Sequence, residues 1–354
     1  MTHPEREVIG GIDTHGATHH AAMIDAQLGR HLDDKQFPAT AAGYRELATW
    51  LHTRGPVVAV GVEGTGSYGA ELARHLTAAG LTVIEVDRPD RKTRRSQGKS
   101  DPLDAYAAAT AVASGRATGS PKTRTGTVEA VRMLRIARSS AVKARTQAVN
   151  QIHTLLTTAP AALREQVAGL SRARLVATLT RLRPGHDLAL PLNAAKSALR
   201  RLARRHQMLD QEIAELDAQI LPLVHAANPA LLELHGVGPQ TAGQLLTTAG
   251  DNPDRLRSES AFAHLCGVAP KPASSGRTHR HRLNRGGDRH ANAALHHVVI
   301  VRMRHDQRTR AYLERRTKEG LSTREIIRCL KRFVAREVYH ALTTNPPTQT
   351  PPTT

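Results

Sequence analysis

The chain has 354 residues, enough for two or three domains that each bury a core of their own. Its 50 Lys and Arg residues outnumber its 31 Asp and Glu residues, and the resulting net charge of +19 favours nucleic acid as a partner. No apolar run approaches the ~20 residues of a membrane span and no signal peptide begins the chain, so we exclude a membrane or secreted protein and expect a cytoplasmic, nucleoid-associated one.

The aromatic and cysteine contents indicate how the chain would contact nucleic acid and whether it could hold zinc. Aromatic residues make up only 3% of the chain, which argues against a stacking platform for single strands and favours contacts to backbone phosphates. The two cysteines, Cys266 and Cys329, lie far apart and are flanked by apolar residues, so we expect free thiols and no zinc knuckle.

The N-terminal third alternates strand-like and helix-like segments. The predicted strands are Val8–Asp13, His20–Ile24, Val57–Val62 and Thr82–Val86, of which the first two form a hairpin. Thr40 is a suitable N-cap for the first helix, and the glycine-rich segment Gly64–Gly69 is either a plain turn or a phosphate cradle. An open sheet with interleaved helices gathers ligands at the carboxyl ends of its strands.

Four acids occupy positions where that edge of the sheet would bring them together. Asp13 and Glu63 each follow a predicted strand, and Asp101 and Asp104 stand on the first turn of a helix that we expect to start at Pro102. Oxygen-only ligation suits Mg²⁺ or Mn²⁺, and two-metal phosphodiester chemistry needs such a cluster. We therefore treat these four acids as candidate metal ligands and catalytic residues.

Each of these acids also has a purely structural interpretation. Asp101 is a suitable N-cap with Asp104 as the acid of the same capping box, while Asp13 can open a turn and Glu63 can cap a helix. A sugar kinase or actin-like ATPase also begins with an acid after its first strand, but that alternative leaves the neighbouring basic run unexplained. The run supplies candidate nucleic-acid contacts, namely Arg91, Lys92, Arg94, Arg95 and Lys99.

The middle of the chain is predicted to be helical. A helix is expected from Glu129 to Thr158, and a later segment repeats apolar residues in alternating steps of three and four. The members of this seam are Leu192, Ala195, Leu199, Leu202, His206, Leu209, Ile213, Leu216, Ile220 and Leu223. Either the preceding helix fills the seam within the chain, or the seam forms a coiled coil that dimerises. We interpret His206 as a polar residue that sets the register, not as a ligand.

The C-terminal part begins with a candidate helix-hairpin-helix. Leu231–Leu246 has the pattern of two helices joined by a turn that contains Gly236 and Gly238. Glycines there expose backbone N–H groups, and the following helix N-terminus attracts a phosphate, so both glycines are candidate nucleic-acid contacts. An ordinary helical hairpin explains the same pattern.

A serine lies in an arginine-rich loop further along the chain. Ser275 precedes Gly276, and Ser274 precedes Ser275, so either hydroxyl is a candidate nucleophile in a phosphate-binding environment. Residue types alone favour simple turn chemistry in a solvated loop. The series from His279 to Tyr312 also resembles a tyrosine recombinase, but only weakly. The candidate phosphate ligands of this segment are Arg277, Arg280, Arg282, Arg285 and Arg289.

The order of these motifs resembles the DEDD transposases of insertion-sequence family 110 over about residues 8–341. The motifs that carry the resemblance are Gly11-Ile-Asp13, Val62-Glu63-Gly-Thr-Gly-Ser, Lys99-Ser-Asp101-x-x-Asp104, the Gly236-Val-Gly238-Pro turn, Ser275-Gly276 and Arg285-Gly-Gly-Asp-Arg289. Each motif is weak alone, and the combination is highly specific. One departure is Gly16, where many relatives have a lysine.

The resemblance implies a specific fold and chemistry. The N-terminal domain would be similar to the resolvase form of the ribonuclease H fold, with Mg²⁺ bound by Asp13, Glu63, Asp101 and Asp104. The C-terminal domain would supply Ser275 as the nucleophile for a covalent phosphoserine link to DNA. The family also implies a bridge RNA that pairs with donor and target DNA, and assembly into dimers and tetramers.

We therefore expect an α/β, ribonuclease-H-like metal domain over residues 1–125, and a helical linker and coiled coil over 126–228. A mostly α transposase domain with a helix-hairpin-helix and the serine follows over 229–342, before a disordered tail over 343–354. The expected activity is cutting and rejoining of DNA at element ends and target, guided by RNA. The alternatives are a resolvase-like nuclease that forms no covalent intermediate and a non-catalytic nucleic-acid-binding scaffold.

Overall fold

A computed structural model describes residues 6–86, 100–274, 276 and 281–344. The contacts divide the chain into two compact units. The first unit holds the described residues up to Gly126 together with Ala249–Phe262, and the second holds Thr127–Thr248 and the described residues from Ala263 onwards.

The first unit is built on a mixed five-stranded sheet. Its strands are β1 (Val8–Thr14), β2 (Thr18–Asp25), β3 (His31–Pro38), β4 (Val57–Glu63) and β5 (Val83–Val86). The order across the sheet is β3-β2-β1-β4-β5. The first three strands are antiparallel, whereas β4 runs parallel to β1 and β5 runs parallel to β4. The four strands predicted from apolar runs are all present, and an α/β architecture is confirmed for this part of the chain.

The third strand is not predicted by its sequence. β3 reads HLDDKQFP and carries charged residues at several exposed positions, and Phe37 is its only fully buried side chain. A strand at the edge of a sheet needs no apolar alternation, because one row of its backbone groups and most of its side chains face solvent. The pairing of β3 with β2 through backbone hydrogen bonds decides its conformation.

Helices cover both faces of the sheet. Helices α1 (Ala41–Leu51) and α2 (Ala70–Ala78) pack on one face, where the core includes Ile12, Met23, Leu47, Val62 and Leu72. Helix α3 (Asp101–Ala113) packs on the other face, where Ala109 contacts Ile9 and Ile24. The predicted cap of α1 is confirmed, because the Thr40 hydroxyl accepts a hydrogen bond from the Gly43 N–H at 3.2 Å.

The predicted start of α3 is wrong by one residue. Ser100 is the N-cap residue and Asp101 is the first residue of the helix, so Asp101 does not serve as the cap. Ser100 has an extended backbone and its side chain makes no capping hydrogen bond. The carboxylate of Asp101 is therefore available for other contacts.

Helix α3 lies unusually close to the two central strands. A Cβ atom on Gly11 of β1 would lie 2.1 Å from the Ala105 carbonyl oxygen and 2.3 Å from the Ala109 nitrogen, both on α3. A Cβ atom on Gly61 of β4 would lie 2.8 Å from the Ala108 carbonyl oxygen. Only glycine allows the helix backbone to contact the strands directly at these positions.

The second unit is largely helical, as predicted. Its helices are α4 (Thr127–Thr158), α5 (Ala161–Val167), α6 (Arg172–Thr180), α7 (Pro191–Ala227), α8 (Ala230–Glu233), α9 (Pro239–Ala249), α10 (Glu259–Leu265), α11 (Arg289–His305), α12 (Gln307–Lys318) and α13 (Thr323–Thr344), of which α9 and α10 extend into the residues of the first unit. Two short strands of two residues each, β6 (Lys271–Pro272) and β7 (His281–Arg282), pair in an antiparallel arrangement. The last helix includes Thr343 and Thr344, and the rest of the predicted tail lies outside the described residues. None of the helices in the described ranges combines the length and the apolar character that crossing a membrane requires.

Helix α4 packs along the heptad seam of α7, so the seam has a partner within the chain. Leu199, His206, Ile213 and Ile220 form its buried column, whereas the leucines of the alternate column remain half-buried. The side chains of Arg138 and Asp217 pair across the two helices at 2.5 Å. Burial lowers the pKa of the His206 imidazole although Asp210 lies beside it. Dimerisation through this segment stays a prediction.

We predict that Gly11→Ala destabilises the first unit by roughly 1–3 kcal/mol, because the methyl group cannot fit without moving α3 away from β1. Trp50 is the only tryptophan in the chain and lies on α1, so its fluorescence during urea unfolding reports on this unit.

Gly119→Ala is the matched control, since a Cβ atom there would have no neighbour closer than 3.8 Å. Equal unfolding midpoints for the two variants would contradict the proposed close packing.

Candidate metal centre

The carboxyl ends of β1 and β4 bring Asp13 and Glu63 to the same edge of the sheet. The strands are parallel and Ile12 pairs with Val62, so the next residue of each strand is an acid. The Thr14 hydroxyl donates a hydrogen bond to the Glu63 carbonyl oxygen at 2.9 Å, which ties the two strand ends together. Gly64 then turns the chain with a φ of +74°, a conformation that favours glycine.

Asp13, His15 and Asp101 form a compact group at this edge. His15 Nε2 lies 3.2 Å from Asp13 Oδ2 and 3.3 Å from Asp101 Oδ1. One potential ligand atom from each residue lies within 4.8 Å of the other two. Although Asp13 Oδ2 and His15 Nε2 are close, both atoms are buried and neither has a hydrogen-bond partner of good geometry in the described part of the chain. Buried polar atoms without such partners fit a site that binds a cation.

Asp104 adds a further negative charge to this group. It is 4% exposed and lies one helical turn after Asp101 on α3. Burial raises the pKa of the Asp13 carboxyl; His15 opposes this shift, and the charges of Asp104 and Asp101 reinforce it. Three carboxylates that repel one another in a partly buried place favour a bound cation, which would remove the repulsion.

Glu63 and Asp13 also line a cavity of about 320 Å³ together with the Gly64–Ser67 turn. Glu85 of β5 reaches the same cavity. Its carboxylate accepts a hydrogen bond from the Thr65 hydroxyl at 2.6 Å and lies 3.2 Å from Arg255 Nη2. Glu85 is therefore neutralised by an arginine, whereas the cationic partner of Asp13 within the described ranges is the imidazole of His15.

Sequence reasoning overlooks His15, Glu85 and Arg255. His15 stands two residues after Asp13 in a turn, and that spacing is a usable signal because both residues leave the same strand end. Glu85 lies inside a strand and resembles an ordinary polar position. Arg255 is 170 residues from Glu85, and no local pattern connects them.

The other candidate residues are only partly described. Arg91, Lys92, Arg94, Arg95 and Lys99 lie outside the described residues, and so do Ser275, Arg277 and Arg280. Arg282, Arg285 and Arg289 are exposed, as is Ser274 in the loop that joins β6 to β7. The described arginines therefore offer charged side chains to solvent close in sequence to the candidate nucleophile.

The predicted turn around Gly236 is present between α8 and α9. Gly236 has a φ of +79°, and no atom lies within 4 Å of the place that a Cβ atom of Gly238 would occupy. Helix α8 has only four residues, so the first helix of the motif is a single turn. The turn is open on the side of Gly238, which is the arrangement that a phosphate contact would need.

The Arg285–Arg289 motif has a structural role as well. Asp288 caps α11 by accepting hydrogen bonds from the N–H groups of His290 and Ala291 at 2.8 and 3.1 Å. It also accepts one from the Thr248 hydroxyl at 2.7 Å. Gly287, the residue before this cap, has a φ of +90°, a backbone conformation that favours glycine. The acid of this motif supports the helix, and the flanking arginines remain exposed.

Comparison with known proteins gives two matches to transposase families. Residues 10–160 match the model of DEDD transposases of the IS110 type, and residues 228–314 match the transposase IS116/IS110/IS902 family. The first match contains Asp13, Glu63, Asp101 and Asp104, and the second contains Ser275 and the arginine-rich loop.

Two insertion-element proteins are similar to parts of the chain. It is 32% identical over 124 residues to the insertion element IS110 uncharacterized 43.6 kDa protein of Streptomyces coelicolor, across 34% of this chain and 30% of that protein. It is 27% identical over 150 residues to the insertion element IS900 uncharacterized 42 kDa protein of Mycobacterium paratuberculosis, across 42% of this chain and 38% of that protein. The chain thus matches well under half the length of each relative. On the two family matches, over residues 10–160 and 228–314, the chain belongs to the IS110 family of transposases.

Proposed function

We propose that the protein is a DNA transposase that cuts and rejoins element ends and target through a phosphoserine intermediate, with guidance from an element-encoded RNA. The observation that carries this proposal is the convergence of Asp13, His15 and Asp101, with Asp104 close enough to influence Asp13. A partly buried acid cluster in a chain with a net charge of +19 suits a reaction on phosphodiesters.

The sheet topology supports a ribonuclease-H-like fold of the resolvase type for the first unit. Three antiparallel strands followed by two parallel strands, in the order β3-β2-β1-β4-β5, place an acid at the end of each central strand. In open sheets of this kind, ligands bind outside the carboxyl ends of the strands.

Asp13, Glu63, Asp101 and Asp104 would hold Mg²⁺ or Mn²⁺, since both ions prefer carboxylate oxygens. A bound ion would supply charge neutralisation at the scissile phosphate and a lower pKa for an attacking hydroxyl. The contact of His15 with Asp13 and Asp101 would orient both carboxylates. Glu85, paired with Arg255, would remain outside the metal-binding set.

Ser275 is the proposed nucleophile, and this assignment rests on the family motif. Its Oγ would attack a DNA phosphorus atom, lose its proton and form a phosphoester while the bond to one deoxyribose oxygen breaks and that oxygen gains a proton. Attack by a DNA hydroxyl on the phosphoserine would reverse this exchange, so the number of phosphoester bonds is conserved and no ATP is needed. Exposed arginines such as Arg282 and Arg285 would hold the phosphate.

Guidance by RNA would explain how a protein with mostly phosphate contacts selects a sequence. Pairing of guide and DNA carries sequence information, whereas backbone contacts only position the strands. The half-buried leucines of α7 would supply an interface for a homodimer or a tetramer.

We predict that Asp13→Asn raises the thermal midpoint of the first unit by a few degrees when divalent ions are absent. The amide removes a buried charge that the neighbouring acids destabilise. In the wild type, Mg²⁺ or Mn²⁺ should raise the midpoint of Trp50 fluorescence, and the variant should lose most of that increase.

Asp33→Asn is the matched control, because Asp33 lies on edge strand β3 and its ion pair with Arg54 is partly exposed. This variant should keep the full response to Mg²⁺. If Asp13→Asn also keeps it, the assigned metal site is wrong.

We predict that Ser275→Ala forms no covalent adduct with DNA when it is incubated with element ends, guide RNA and Mg²⁺. Denaturing electrophoresis after nuclease digestion detects the adduct of the wild type. Ser274→Ala is the control and should still form it. An adduct with Ser275→Ala that disappears with Ser274→Ala would move the nucleophile by one residue, and cleavage with no adduct in the wild type would indicate a resolvase-like nuclease.

We predict that Asp104→Asn keeps its affinity for RNA within about twofold but loses strand cleavage by at least a hundredfold, the order expected for loss of an electrostatic catalytic group. Binding is measured by filter retention and cleavage by labelled element ends. Full cleavage activity in this variant would exclude Asp104 from the reaction. Unchanged binding with no cleavage by the wild type would favour a non-catalytic scaffold.

A further inference from the structure

Helices α11, α12 and α13 enclose a groove of about 1010 Å³ in the second unit. This volume lies at the upper end of the range of ligand cavities, about 300–1,000 Å³. The groove contains none of the residues assigned above to metal binding, to the nucleophile or to the glycine turn. It has no role in the proposed chemistry.

The wall of the groove presents two aromatic rings. Phe333 of α13 is 44% exposed, and Tyr312 of α12 packs against it edge to face with ring centroids 5.6 Å apart. The whole chain has only three Phe, five Tyr and one Trp, so two of its few aromatic rings meet at this groove, the Phe333 ring exposed and the Tyr312 ring half-buried. Leu330, Val334 and Val299 add further apolar side chains to the lining.

Arginines surround these rings. Arg308, Arg315 and Arg336 line the groove, and the guanidinium of Arg315 lies 5.3 Å from the centre of the Tyr312 ring. The segment from residue 300 to residue 340 contains twelve Arg and Lys residues but five Asp and Glu residues. This excess of cationic side chains favours an anionic occupant.

Two of the acids that line the groove are already engaged by other groups. Glu337 pairs with the buried Arg302 at 2.7 Å, and Arg302 also donates a hydrogen bond to the His235 carbonyl oxygen at 2.7 Å. Asp306 accepts hydrogen bonds from the N–H and hydroxyl groups of Thr309 at the start of α12. These contacts join the helices and engage Asp306 and Glu337 within the protein, while Arg308 and the largely exposed Arg315 lie on the wall of the groove.

We propose that this groove binds an unpaired segment of nucleic acid, with a base stacked on Phe333 and the flanking phosphates held by Arg308 and Arg315. Aromatic faces within a cationic groove are the feature that binds single strands, because every base has a flat face and every nucleotide a phosphate. A duplex covers its base faces by stacking and cannot offer one to Phe333. Low aromatic content of the whole chain, which argued against a stacking platform, does not exclude one local pair.

The test uses the full-length protein and labelled twelve-residue oligonucleotides of thymidine and of uridine, with a duplex of the same length for comparison. Phe333→Leu keeps an apolar side chain but removes the ring, and should weaken binding of single strands about tenfold, the order produced by loss of one base–aromatic stack. Phe333→Tyr should bind like the wild type. Duplex binding should be equal in all three proteins. Equal affinity of Phe333→Leu and wild type for both single strands would overturn the proposal.

A second measurement locates the contact at the groove. Phe333→Trp in a Trp50→Phe background places the only tryptophan on the groove wall, and single strands should quench its fluorescence whereas the duplex should not. No quenching at saturating single strand, or equal quenching by an acidic peptide without bases, would also overturn the proposal. A stronger effect of the uridine or of the thymidine strand identifies RNA or DNA as the source. These results do not depend on divalent metal or Ser275, so they stand apart from the test of cleavage.

Discussion

The close approach of α3 to the central strands is the constraint on which the candidate metal centre depends. Gly11 and Gly61 lack the Cβ atoms that would collide with the helix backbone, so α3 lies directly on β1 and β4. A helix held that close has its N-terminus fixed at the edge of the sheet where β1 ends. The position of Asp101 and Asp104 next to Asp13 follows from backbone packing, before any side-chain contact is considered.

The same arrangement concentrates negative charge where protein structures normally avoid it. Burial and the neighbouring carboxylates raise the pKa of Asp13, and the ring of His15 opposes this shift. Glu85 lies at the same cavity but is paired with Arg255 and bonded to Thr65. The carboxylate of Glu85 thus has partners within the protein, whereas the carboxylate of Asp13 lies in an environment that disfavours its charge. Local conflicts of this kind mark places where function, not stability, selects the residue.

In the second unit, the surfaces that hold the helices together are separate from the groove that we propose for recognition. The seam between α4 and α7 is filled within the chain and is reinforced by cross-helix ion pairs such as Arg138–Asp217. The groove formed by α11, α12 and α13 is bounded by an internal ion pair, Arg302–Glu337, yet it exposes Phe333 to solvent. Apolar surface is buried where the helices pack together, and at the groove it is exposed beside arginines, where an anionic, flat partner would fit.

The sequence by itself determined the elements whose signals are local. Apolar runs predicted the strands that contain Asp13 and Glu63, Thr40 predicted the start of α1, and the heptad pattern predicted α7, because strand burial, helix capping and helix periodicity each act over a few residues. The family motifs identified the four acids together. Tertiary structure alone decided that charged β3 is an edge strand and that α4 packs along the seam. It also decided the contacts of His15 and the pairing of Glu85 with Arg255, since side chains distant in sequence meet only after the sheet and its helices have packed.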